Sequence, residues 1–147
     1  MKFVTSSPEQ TIKLGQKLAK QLKGGEVICL YGNLGAGKTT LIKGIAQGLG
    51  IKKIITSPTF VLMKTYQVTR DRRQETGKQN KILVHIDCYR INSEIDIINI
   101  GAQEYFSRPD TITVIEWPER IKKILPRGRT EIKIKIGKTN QRIFNIL

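Results

Sequence analysis

The residues best able to do chemistry in this sequence sit in the run Gly32-Asn33-Leu34-Gly35-Ala36-Gly37-Lys38-Thr39, followed by Thr40, which fills the spacing G-x-x-x-x-G-K-[ST]. Glycines at such a spacing let successive backbone N–H groups turn inward on phosphates, Lys38 reaches the β/γ oxygens of a nucleotide, and the Thr39 hydroxyl can ligate Mg²⁺. Two carboxylates complete the set. Asp87 ends the apolar run Ile82-Leu83-Val84-His85-Ile86, and Glu116 ends Thr111-Ile112-Thr113-Val114-Ile115. Each resembles a Walker B element, an apolar strand that delivers an acid to the C-terminal edge of a sheet beside a metal and a γ-phosphate. One acid suffices for a cation. Two imply divided labour, one at the metal shell and one orienting the attacking water or a moving switch. Thr59, in Ser57-Pro58-Thr59-Phe60, is a small hydroxyl on a tight turn and a candidate sensor of the γ-phosphate.

These residues work only if particular elements hold them. Glu26 to Tyr31 is too continuously apolar for an exposed strand and reads as a central, doubly covered parallel strand. It leads into the loop, and a helix from Lys38 to Leu49 follows, placing Leu41, Ile42, Ile45 and Leu49 on one face and its positive dipole end at the phosphates. Upstream, Lys2 to Thr5 reads as a short strand. Ser7 caps a helix that begins at Pro8, with Gln10 three residues after the cap, and runs through Leu14, Leu18 and Leu22 to Gly24-Gly25. The start of this helix is placed to reach a nucleotide's base. A strand is expected across Phe60 to Val68, then a hairpin whose basic tip, Thr69 to Lys81, carries Arg70, Arg72, Arg73 and Lys78. Further on, Ser93 caps a helix with Ile95, Ile98, Ala102, Tyr105 and Phe106, interrupted by Gly101, and Glu119 to Leu125 reads as a short basic helix stopped by Pro126. Glu131 to Ile136 alternates apolar and charged residues and should pair with Gln141 to Leu147 as an antiparallel hairpin. The expected architecture is therefore α/β, a P-loop NTPase-like, mostly parallel sheet flanked by helices with an antiparallel C-terminal hairpin, in a single domain of 147 residues.

Composition narrows the class. No apolar run approaches the length of a membrane span and the N-terminus lacks a signal-peptide core, so a cytoplasmic protein is expected. Cys29 and Cys88, one in a strand and one just after another, read as small buried hydrophobes rather than a disulfide or metal pair. Lys and Arg number 26 against 12 acids, and the resulting charge of +14 favours polyanionic partners, RNA above all, although a solvated surface gives the same balance. Trp117, next to Glu116, is either a core residue or a shield for a nucleotide.

Taken together, the loop, Ser57-Pro58-Thr59-Phe60, His85-Ile86-Asp87-Cys88-Tyr89-Arg90 and Ile115-Glu116-Trp117-Pro118-Glu119-Arg120 resemble the TsaE family, also called YjeE, of small bacterial ATPases required for threonylcarbamoyladenosine modification of tRNA. The likeness implies bound ATP with Lys38 and the loop amides on the phosphates, Mg²⁺ held by Thr39 and Glu116, and Asp87 as the acid needed for hydrolysis. It also implies work with TsaB and TsaD, of which TsaD transfers the threonylcarbamoyl group to the adenosine next to the anticodon. Contact with tRNA would then run through those partners. The basic hairpin and the charge of +14 exceed the family's usual pattern. Two alternatives from other classes are a P-loop small-molecule kinase, whose lid would be the hairpin with Arg72 and Arg73, and a basic RNA-binding module with a regulatory nucleotide site. No Asn-Lys-x-Asp base-reading motif is present, which argues against GTP, and no arginine finger is evident in cis beside the phosphates.

Overall fold

A computed structural model of the chain describes residues 1–58, 60–69 and 80–147. Its strands are β1 (Lys2–Thr5), β2 (Val27–Tyr31), β3 (Met63–Gln67), β4 (Ile82–Asp87), β5 (Thr111–Glu116), β6 (Thr130–Ile136) and β7 (Arg142–Ile146). Among the described residues these form one sheet in the order β1-β7-β6-β2-β5-β4-β3. The centre, β6-β2-β5-β4, is parallel, whereas β3 and the β6–β7 pair add antiparallel edges. β5 is buried throughout and β2 is buried up to Tyr31, which is why both are written as unbroken apolar runs.

Helices α1 (Pro8–Ala19) and α2 (Lys38–Gly48) cover one face and α3 (Glu94–Asn99) the other. Alternate residues of β2 feed the two cores: Ile28 and Leu30 belong to one with Leu41, Ile42 and Ile45 of α2, and Val27 and Cys29 to the other with Ile97 and Phe106. Both cysteines are free and buried, as expected, and burial pushes each thiol up to about 12. The two helices of the first face touch backbone to backbone. A Cβ on Gly15 would lie 2.5 Å from the Leu41 carbonyl oxygen, and one on Gly48 would lie 2.5 Å from the Ala19 Cβ.

Several boundaries differ from the sequence reading. α1 stops at Ala19, not at Gly24-Gly25, because Gln21 and Leu22 bond three residues back and the Glu26 carboxylate accepts the Lys23 and Gly24 N–H groups. The strand expected from Phe60 begins only at Met63. Leu62 adopts φ +65° while its N–H donates to the Pro58 carbonyl, and Phe60 is left 83% exposed. Gly101, at φ +75°, splits the expected helix after Ser93 into α3 and a 3₁₀ segment, Ala102–Ser107, and the basic helix after Glu116 is likewise 3₁₀, Pro118–Ile124. β3 and β4 do pair as the flanks of a hairpin. Residues 70–79 of its basic tip, with Arg70, Arg72, Arg73 and Lys78, lie outside the described residues, as does Thr59.

Candidate functional site

The loop between β2 and α2 is shaped by glycines where the chain turns left-handed: Gly35 at φ +75° and Gly37 at φ +103°. Gly37 is also the N-cap of α2 and offers no side chain, so the first N–H groups of α2 are left for an anion, whereas Ser7 and Ser93 cap α1 and α3 with their hydroxyls. Residues 34–40 line a cavity of about 380 Å³, faced by Ser57, Asp87, Tyr89, Glu116 and Trp117. The cavity gathers Leu34, Gly35, Ala36, Gly37, Lys38, Thr39 and Thr40 with both acids. Gly32 and Asn33 do not line it. Their carbonyls instead accept Lys38 Nζ at 2.5 and 3.0 Å, holding the ammonium at the mouth of the loop.

Parallel pairing of β4 with β5 sets Asp87 directly beside Glu116. Both are nearly buried, at 5% and 3% exposure, as is Lys38 at 6%. Burial lowers the Lys38 pKa, opposed by Glu116, Glu119 and Asp87. Burial likewise raises the Asp87 pKa; the Tyr89 N–H, at 2.9 Å, pulls the other way, Glu116 adds to the rise, and His85 and Lys38 oppose it. The two acids have different neighbours. Glu116 Oε1 accepts from the Thr39 hydroxyl at 3.4 Å, and Oε2 accepts from Ser57 at 3.2 Å and lies 2.7 Å from His85 Nε2. Thr39 and Ser57 hydroxyls are 3.0 Å apart. Hydroxyl and carboxylate oxygens clustered in this way are hard donors of the kind that would suit Mg²⁺.

Trp117 holds a left-handed backbone, φ +56°, unusual for a bulky residue, and its ring lies 4.4 Å from Lys38 Nζ and 5.0 Å from the Tyr89 ring. It therefore walls the cavity beside Lys38. A second cavity, of about 430 Å³, shares Gly35, Gly37 and Thr40 with the first and extends to Ser6, Pro8 and Asn140. The start of α1 thus shares a cavity with the loop. Arg142 lines this second cavity and donates to the Gly35 carbonyl at 3.2 Å. An arginine thus flanks the loop in cis, away from the acids.

Ser57, His85, Tyr89 and Arg142 carried no assigned role in the sequence reading. His85 could have been found from its position two residues before Asp87 on the same strand face; Arg142, distant in sequence and on a β-hairpin, left no local signal.

The sheet order, the glycine loop and the acids at the strand ends define the class: a P-loop NTPase-like α/β domain. Residues 5–144 match the family model described as Threonylcarbamoyl adenosine biosynthesis protein TsaE. The chain is 37% identical over 142 residues to the tRNA threonylcarbamoyladenosine biosynthesis protein TsaE of Bacillus subtilis, covering 97% of this chain and 82% of that one. It is 38% identical over 136 residues to the protein of the same name from Treponema pallidum, covering 92% of each. The crystal structure of Bacillus subtilis YdiB superposes with a TM-score of 0.76 at 32% identity, over 99% of this chain and 83% of that one. The chain belongs to the TsaE family, and so to threonylcarbamoyladenosine biosynthesis on tRNA, as the motifs implied.

Proposed function

We propose that the chain is a Mg²⁺-dependent ATPase whose cycle serves TsaB and TsaD in tRNA threonylcarbamoyladenosine formation. The observation that carries this reading is the meeting of the loop, Lys38, Thr39, Asp87 and Glu116 in one cavity. The α2 N–H groups and Lys38 bind and orient the β/γ phosphates. Thr39 and Glu116 are the residues that would hold Mg²⁺, which when bound neutralises charge building on the phosphate oxygens. Asp87, its pKa raised by burial, suits a base that orients a water toward the γ-phosphorus; the bond to the β–γ bridging oxygen then breaks, releasing ADP and phosphate. The second cavity, with Ser6, Asn140 and Arg142, has polar groups for an adenine and ribose.

Arg142 is on the far side of the loop from the acids, so no guanidinium among the described residues stands in the cavity to neutralise the transition state. Slow hydrolysis by the isolated chain follows, with a gain when partners are added. Phosphate release is measured for the chain alone and again with TsaB and TsaD, and acceptors are screened by mass spectrometry in parallel. The expected result is slow release that partners accelerate. Fast turnover with no gain sinks the partner assignment, and a phosphorylated small acceptor sinks the ATPase assignment.

A further inference from the structure

His85 is the sole histidine of the chain, and it is fully buried beside the acid pair. We propose that it is the positioning residue of that pair: its Nε2–H grips one oxygen of Glu116 and thereby turns the other, with Thr39, toward the cation, leaving Asp87 for the attacking water. This deepens the Mg²⁺-nucleotide reading and rests on it.

The geometry separates the two carboxylates. His85 and Asp87 lie two residues apart on β4 and share a face, yet the imidazole reaches across to β5 and lies 2.7 Å from Glu116 Oε2. Ser57 donates to that same oxygen, so Oε2 is held from two sides while Oε1, among the described residues, keeps the long 3.4 Å bond from Thr39. Asp87 Oδ1 is fixed by a different group, the Tyr89 N–H.

The other ring nitrogen settles the direction of the His85 bond. Nδ1 is buried without a hydrogen-bond partner among the described residues. With the hydrogen on Nε2, the imidazole donates to the carboxylate and Nδ1 is a bare lone pair, a modest loss. With the hydrogen on Nδ1, a buried N–H would be orphaned and a nitrogen lone pair would face a carboxylate oxygen at 2.7 Å. The first arrangement is much the better one. It is the second-layer contact by which proteins fix a metal-side carboxylate, and removing such a contact costs about tenfold or more in metal affinity.

The test measures the affinity of a non-hydrolysable ATP analogue by calorimetry, with Mg²⁺ and with EDTA, for wild type, His85→Leu and His85→Gln. The gain in affinity from Mg²⁺ should shrink about tenfold in His85→Leu, with the EDTA affinity retained. Glutamine, which restores an N–H donor, should recover most of that gain. A leucine variant with the full gain, or a glutamine variant no better than leucine, overturns the assignment. A wild-type chain that gains nothing from Mg²⁺ overturns the metal reading beneath it, a separate failure. A measurement independent of how the variants fold is ¹⁵N NMR of the single imidazole in the wild-type protein. It should show Nε2 protonated and Nδ1 bare, and the reverse tautomer would overturn the proposal.

Discussion

At one end of the phosphate loop Lys38, His85, Asp87 and Glu116 are buried, and hydroxyls of Thr39 and Ser57 join Glu116 in a continuous hydrogen-bonded group. At the other end Ser6, Pro8 and Asn140 are exposed, and the main tie to the loop is one bond from Arg142 to the Gly35 carbonyl. The proposed function accounts for the contrast by what each end would do. Charges that direct bond breaking act strongly only where water is excluded and the groups are held still. Recognition of a base needs shape and a few polar contacts, and tolerates solvent. The acid end carries a cost in stability for this, because a buried carboxylate and a buried ammonium are both held in surroundings that disfavour their charged forms.

The sharpest way to break the comparison is at the acids. Asp87→Asn should lower the hydrolysis rate by about a hundredfold or more while nucleotide binding persists; wild-type rates in that variant would remove Asp87 from the chemistry. Next, Lys38→Ala should weaken ATP binding by about tenfold or more, since a charge-assisted contact to the phosphates is lost, read by calorimetry. Arg142→Ala, at the open end, should raise the KM for ATP by about threefold, with the loss falling on KM more than on kcat. An equal loss in kcat would mean that the two ends are not divided as described.

The smallest effect is on stability. Because Asp87 has a raised pKa in the fold, the native state holds its proton more tightly than the unfolded chain. Its ionisation therefore destabilises the fold as pH rises from the ordinary carboxylate range through the raised value. Asp87→Asn should melt a few degrees above wild type at neutral pH, with the difference shrinking toward pH 4. Parallel melting curves at every pH would show that Asp87 is not strained by its burial.

How much of this could be read from the chain alone follows from where each signal lies. The loop was legible because its spacing is local, and the acids were legible because each closes an apolar strand. The parallel centre and the C-terminal hairpin followed from unbroken and alternating apolar runs. Helix ends were less secure: Glu26 ended the helical hydrogen bonding before Gly24, and nothing in the apolar spacing of Leu14, Leu18 and Leu22 betrays that carboxylate. Phe60 and Val61 have the side chains of strand residues but stand exposed on a turn set by the Pro58–Leu62 bond. Pairings such as His85 with Glu116, or Arg142 with Gly35, join strands far apart in sequence and become visible only with the register.

The glycine seam between α1 and α2 has a mechanical consequence. Gly15 and Gly44 bring the two backbones together with no side chain between them, so close packing leaves little room for one helix to shift against the other. The first turn of α1 borders the second cavity, and the first residue of α2 is Lys38. The α1–α2 contact thus links the solvent flank of α1 to the helix that begins at Lys38, whose ammonium donates to the Gly32 and Asn33 carbonyls.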